Sequence, residues 1–130
     1  MRRENMYASS NAYANARNEY KTNEVMTASR TKLVVMLYEG AIRNLKLAKL
    51  SIGDRNIEKT NTCIIKAQKI LSEFMSTLNL EDGGDIARDL MSLYQYMYQR
   101  TIRANIDKNP DILDEVIGYL DELRDAWSQI

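Results

Sequence analysis

Residues 57–78 read IEKTNTCIIKAQKILSEFMSTL, and this stretch decides the fold. Ile57, Ile64, Leu71 and Leu78 recur every seven residues, with Asn61, Gln68 and Met75 at the positions between. Heptad spacing keeps such residues on one face of an α-helix, whereas a half-buried strand alternates every second residue. A second stripe, Cys63, Ala67, Ile70 and Phe74, runs beside the first. Two adjacent apolar stripes require two neighbours, which is the situation of a helix inside a bundle. The polar Asn61 and Gln68 leave two readings open: they set the register of the pairing, or they face a partly wet seam.

Outward from this helix, the chain repeats the same grammar. Gly53-Asp54 makes a turn upstream, with Asp54 placed to cap a helix over about 55–79. Downstream, Leu80-Glu81-Asp82-Gly83-Gly84 breaks the chain, and Asp85 is placed to cap a helix over about 86–107. The stripe of that helix reads Ile86, Leu90, Leu93, Met97 and Ala104, flanked by Tyr94, Tyr96 and Tyr98. Asn109-Pro110 is a restart signal, a cap followed by proline at the first helical position, and the spacing predicts a helix over about 110–128. Its apolar face is Leu113, Val116, Leu120, Leu123 and Trp127. Nearer the N-terminus, Ser29 is a candidate cap for a helix running to about Ser51, with Leu33, Leu37, Ala41, Asn44, Leu45 and Ala48 as its stripe. The alternating, β-branched pattern of a sheet is missing. The expected fold is all-α: an antiparallel four-helix bundle over residues 29–130, with residues 1–28 as an N-terminal arm or short extra helix, partly flexible or docked as a lid. In that arm, Tyr7, Tyr13 and Tyr20 recur at about heptad spacing.

Composition bounds the function. At 130 residues the chain is one domain's worth and can bury a sizeable core without metal or disulfide staples. Its single cysteine, Cys63, excludes an intramolecular disulfide and reads as a small buried hydrophobe. No apolar run approaches the roughly 20 residues of a membrane span. The opening MRREN lacks the apolar core of a secretory signal, so the cytoplasm is the expected compartment. Net charge is formally zero but unevenly placed: +2 over residues 1–30, +4 over 31–80 and −6 over 81–130. The basic part is neither dense nor aromatic enough for nucleic acid.

Most catalytic chemistry is absent. The chain has no histidine, which removes Ser-His and Cys-His dyads, imidazole proton shuttles, the usual zinc sites and Glu-x-x-His di-iron pairs. Gly83-Gly84 is followed by no Gly-Lys-Ser/Thr, so no phosphate loop is present. Glu81, Asp82, Asp85 and Asp89 form the densest carboxylate group, but acids at a helix start answer the macrodipole without any metal. No cofactor or catalytic residue is expected, and the chain does not read as an enzyme.

What remains is surface for binding. Leu33, Val34, Val35, Met36, Leu37 and Tyr38 form an unbroken apolar run that covers more than the roughly 100° stripe a bundle core needs. Eight tyrosines and seven methionines suit a groove that accepts another helix. Met36, Met75 and Met97 read as core. For Tyr20, Tyr38, Tyr94 and Tyr98, core and groove are equal readings.

These residues fall into a recognisable set. Tyr20-x4-Val25-x-Thr27-Ala28-Ser29, Lys32-Leu33 and Met36-Leu37-Tyr38-Glu39-Gly40 are followed by Lys66-Ala67-Gln68-x-Ile70-Leu71 and Thr77-Leu78-Asn79. Leu93-Tyr94-x-Tyr96-Met97, Ala104-Asn105 and Leu123-Arg124-Asp125-Ala126-Trp127 complete the series. In this order and spacing, covering residues 20–127, the sequence resembles the FliS family of flagellin-specific export chaperones. Two departures stand out: Arg30 occupies the place where the family usually has proline, and the extension before Tyr20 is longer than usual. The resemblance implies a cytoplasmic helical bundle that binds the C-terminal segment of flagellin, prevents premature polymerisation and keeps the subunit competent for type III export. A co-chaperone or another flagellar regulator is a further possible partner. The candidate partner-binding residues are Tyr20, Val25, Met26, Leu33, Leu37, Tyr38, Tyr94 and Tyr98, with the Tyr20–Met26 arm covering a groove until flagellin displaces it. The rival readings are an adaptor for a different flagellar or secreted protein and a self-associating structural bundle.

Overall fold

The structure, a computed structural model, describes the backbone of residues 12–130 and the side chains of residues 29–130. Four α-helices follow one another, α1 (Ala12–Gly53), α2 (Ile57–Thr77), α3 (Leu80–Asp107) and α4 (Pro110–Ser128), with no strand among the described residues. The chain divides between Leu33 and Val34 into two units. The N-terminal unit holds the first part of α1. The second unit holds the rest of α1 together with α2, α3 and α4, and these form the expected antiparallel four-helix bundle.

Asparagine starts three of the four helices. Asn56 Oδ1 accepts from the Lys59 backbone N–H at 3.0 Å, Asn79 Oδ1 from that of Asp82 at 3.1 Å, and Asn109 Oδ1 from that of Asp111 at 2.9 Å. Each satisfies one of the orphan donors of a helix N-terminus. Asn109 with Pro110 behaves as its sequence signal predicts. The other expected caps differ. Asn56, not Asp54, caps α2, because Asp54 still belongs to the unwinding end of α1, its N–H donating to Leu50 O at 3.0 Å. Asn79, not Asp85, caps α3, which therefore begins six residues earlier and tolerates a break at Gly84 (φ 59°, ψ −139°). Such a conformation is open to glycine and costly for other residues. Ser29 caps nothing: it is an exposed residue inside α1.

The core is built from the heptad stripes. Ile64, Ala67, Leu71, Cys63 and Phe74 of α2 are buried, as are Ala41, Leu45 and Ala48 of α1 and Leu113, Val116 and Leu120 of α4. Fully burying each leucine, isoleucine, valine or phenylalanine among them contributes about 1.5–3 kcal/mol, so this layer dominates the stability. Four residues expected in the core are exposed instead: Leu33, Met36, Ile57 and Ile86. Ile57 is the first residue of its helix, at the bundle's end, where no neighbour covers it. On α3 the buried positions are Ala87, Tyr94, Met97, Thr101 and Ala104, so the stripe runs through Ala87 rather than Ile86. It can do so because the two polar members, Tyr94 and Thr101, both find partners for their hydroxyls.

Short polar links fix the pairing of helices. Gln68 Nε2 donates to Thr101 Oγ1 at 3.1 Å, and Lys108 Nζ donates to Asn61 Oδ1 at 3.1 Å. Both link α2 to α3, so Asn61 and Gln68 act as register-setting residues across that seam. Lys49 meets Asp114 at 2.8 Å between α1 and α4, and Arg100 meets Glu115 at 2.8 Å between α3 and α4. No buried side-chain nitrogen or oxygen among the described residues lacks a partner.

Candidate partner-binding surface

Three aromatic rings, two of them candidate residues, tie the bundle together. Tyr38 of α1 stacks on Phe74 of α2 with ring centroids 4.5 Å apart, and Phe74 stacks on Tyr94 of α3 at 5.5 Å. The hydroxyls of Tyr38 and Tyr94 are 2.5 Å apart and share one hydrogen bond. Burial pushes both phenols above their ordinary value, Tyr38 furthest, with the Tyr94 hydroxyl adding to its rise and the Trp127 indole opposing it. Both therefore stay protonated across the physiological range, and the pair is a neutral polar clamp inside an apolar layer.

Of the candidate residues, the structure brings Tyr38 and Tyr94 together in the core, both essentially inaccessible. Leu37 is half-buried against the same cluster. Leu33 belongs to the N-terminal unit and is 53% exposed. The side chains of Tyr20, Val25 and Met26, and with them the lid expectation, lie outside the described residues, as do the side chains of Tyr7 and Tyr13. Tyr98 stands apart from the clamp, half-buried on the outer side of α3.

At Tyr98 the surface opens. A groove of about 570 Å³ runs between α2 and α3, bordered by Ile65, Gln68, Lys69, Ser72 and Tyr98. One and two turns further along α3, Ile102 and Ile106 line a second depression together with Gln99, Arg100 and Arg103. Ile65, Ile102 and Ile106 are 47%, 41% and 66% exposed, each more than a core role would allow. Sequence reasoning passed over these three isoleucines. The available signal was that they fall outside the assigned heptad stripes of α2 and α3, and an apolar residue out of register has no core to fill. On the other side of α3, Glu115 accepts from Tyr96 Oη at 2.6 Å and from Arg100 Nε at 2.8 Å. The Tyr96 hydroxyl, and then the guanidinium, hold the Glu115 carboxyl below its usual value.

Among the described residues no group of histidine, cysteine, aspartate and glutamate is placed to hold a metal ion. Of the acidic group at the start of α3, Asp85 pairs with Arg88 and Asp82 accepts from Asn79 Nδ2. No helix among the described residues is long and apolar enough to cross a membrane.

The helical bundle can be set beside known proteins. The family model for flagellar protein FliS matches residues 13–130, nearly the whole chain. The chain belongs to the FliS family. A relative from Bacillus subtilis (strain 168), named flagellar secretion chaperone FliS, is 37% identical over 118 residues, covering 91% of this chain and 87% of its own. The Vibrio cholerae FliS is 38% identical over 108 residues, 83% of this chain and 79% of its own, and the Campylobacter jejuni FliS is 35% identical over 115 residues. The residues on which the sequence resembles FliS serve two purposes: Tyr38, Leu71, Tyr94 and Met97 build the core, while Gln68 sets the α2–α3 register.

Proposed function

We propose that this chain is a cytoplasmic, non-enzymatic chaperone of flagellar export that binds the C-terminal segment of flagellin, prevents its premature polymerisation and keeps it competent for type III export. The observation that carries this reading is the open α2–α3 groove bordered by Ile65 and Tyr98, with Ile102 exposed one turn further along α3, in a FliS-family bundle. An amphipathic helix lays its apolar face into such a groove, and a guest that orders only on binding covers a large area yet remains releasable. Tyr38 and Tyr94 act beneath this surface by holding α1, α2 and α3 in place, and Leu33 and Leu37 are proposed as further contacts of the guest. In this reading the segment before residue 29 competes with flagellin.

The test is a calorimetric titration of the full chain with the flagellin C-terminal segment, paralleled by helix content and Trp127 fluorescence. Micromolar or tighter binding with a gain in helix is expected, and absence of binding at micromolar concentrations overturns the reading. Replacing Ile65 and Ile102 by serine should weaken binding at least tenfold, about 1.4 kcal/mol. Removing residues 1–26 should tighten it, and an unchanged affinity would remove the competition by that segment. Co-purification dominated by a different flagellar or secreted protein would favour the adaptor reading.

A further inference from the structure

A second apolar seam lies on another side of the bundle, between α1 and α2. The Tyr38–Phe74 stack and the approach of Gly40 to Ile70 set these two helices antiparallel in a fixed register. A Cβ added at Gly40 would stand 3.5 Å from Ile70 Cδ1, so the helices are close here and the seam is shallow. Along α1, Met36, Arg43 and Leu50 recur every seven residues on the outward face. Met36 is 56% exposed and Leu50 67%, with Leu47 and Ile70 half-buried between them. From Met36 to Leu50 the stripe runs about 21 Å at 1.5 Å per residue, the length of four turns of a docked helix.

The charges along this seam are of one dominant sign. The register brings Arg43 level with Lys66, and Leu50 level with Lys59. All three cations are exposed, and none forms an ion pair among the described residues. Two acids stand beside them, Glu73 near the Met36 end and Glu39 one turn before Arg43 on α1, while the exposed Lys46, one turn after Arg43, adds a fourth cation and Glu58 lies further round α2. Lys49, further along α1, is taken up by Asp114. The α2–α3 groove differs, because Lys69 and Glu73 offset each other on its rim.

We infer that the α1–α2 seam is a docking surface, separate from the α2–α3 groove, for an amphipathic helix of another protein whose apolar face is flanked by acidic side chains. Charge complementarity selects this occupant. A second copy related by a two-fold axis would set Arg43, Lys59 and Lys66 against themselves. The acidic α4 of a second copy supplies the opposite charge, but α4 has no exposed large apolar residue to cover Met36 and Leu50. A helix with leucines on one face and glutamates beside them satisfies both requirements. Its cations steer the encounter and set specificity, while the apolar residues supply most of the affinity.

The probe is a synthetic amphipathic helix of leucine and glutamate, about 18 residues long, titrated against the full chain and compared with its leucine–lysine counterpart. Calorimetry should show the acidic peptide binding at least tenfold more tightly, with the difference shrinking as salt rises. The methyl resonance of Met36, assigned with Met36→Leu, should shift on binding. Arg43→Glu with Lys66→Glu should weaken binding about tenfold, since two exposed attractions become repulsions of similar size. These positions are exposed, so circular dichroism should show the fold intact. Ile65→Ser with Ile102→Ser should leave this binding unchanged. Equal binding of the lysine peptide, insensitivity to the charge reversal, or loss through the Ile65 and Ile102 variants would each overturn the proposal. So would association with anionic phospholipid vesicles but not with the peptide, or a dimer that the peptide does not disrupt.

Discussion

The hydroxyls of Tyr38 and Tyr94 meet at 2.5 Å in the interior of the bundle, 56 residues apart in sequence. They join α1 to α3 diagonally across the core, with the Phe74 ring of α2 packed against both. One polar contact thus reports on three helices. Tyr94→Phe should cost about 1–2 kcal/mol, because it leaves the Tyr38 hydroxyl buried without this partner. The double variant Tyr38→Phe/Tyr94→Phe should cost less than the two single changes added together. Urea denaturation of the four proteins gives the coupling energy, and additive losses would show that the hydroxyl pair contributes nothing of its own.

The same pair predicts a sensitivity to alkali. Burial raises both phenols above the ordinary value of 10.0 in the folded state, so the folded chain holds their protons more tightly than the unfolded chain does. This stabilisation is fully present below about pH 10 and is lost as pH rises beyond that, by up to about 1.4 kcal/mol per pH unit for each phenol. Unfolding followed by Trp127 fluorescence between pH 8 and 12 should show stability falling from about pH 10. The double phenylalanine variant should fall less steeply.

Between α2 and α3 the expected asymmetry is chemical. Thr101 Oγ1 accepts from Gln68 and donates to the Tyr98 carbonyl at 2.6 Å, and it is completely buried. Thr101→Val keeps the shape but removes both hydrogen bonds of the buried hydroxyl, so it should cost about 1 kcal/mol. Gln68→Leu leaves Thr101 with its carbonyl partner and should cost less. Thermal unfolding of both variants tests the order.

Two glycines should respond in opposite directions to alanine. Gly118 lies exposed inside α4 with no atom within 4 Å of an added Cβ, so Gly118→Ala should stabilise the protein by about 0.5–1 kcal/mol through helix propensity. At Gly83 an added Cβ would stand 2.5 Å from the Ala87 Cβ. Gly83→Ala must shift the break at Gly84 and should destabilise. Denaturation midpoints compared with the parent chain decide both signs.

The helices were legible in the sequence because heptad spacing is a local property. Ile64, Leu71, Leu113 and Leu120 could be placed in the core from their own neighbours alone. The caps were harder, since Asp54 and Asn56 both satisfy the chemistry of a helix start and only the unwinding of α1 chooses between them. On α3, hydrophobicity favoured Ile86 over Ala87. The choice of Ala87 depends on Tyr94 finding a partner 56 residues away, which no local pattern records. The binding surface was the least legible part. Exposure of Ile65, Ile102 and Met36 is a property of how helices pair, whereas the aromatic residues that attracted notice, Tyr38 and Tyr94, are spent on holding those pairs together.

The links between helices are only three, two and two residues long, at Asp54–Asn56, Leu78–Asn79 and Lys108–Asn109. Loops this short leave little entropy to lose when neighbouring helices zip together, so each hairpin can form as soon as its second helix is made. The closure of α1 against α4 through Lys49 and Asp114 spans 65 residues and should come last. On a ribosome the bundle should therefore complete itself only when α4 has emerged, and a chain stalled before Pro110 would still present the apolar faces of three helices. By this argument α4 would act as a timing element, deciding when during synthesis the bundle first has its finished surface to offer.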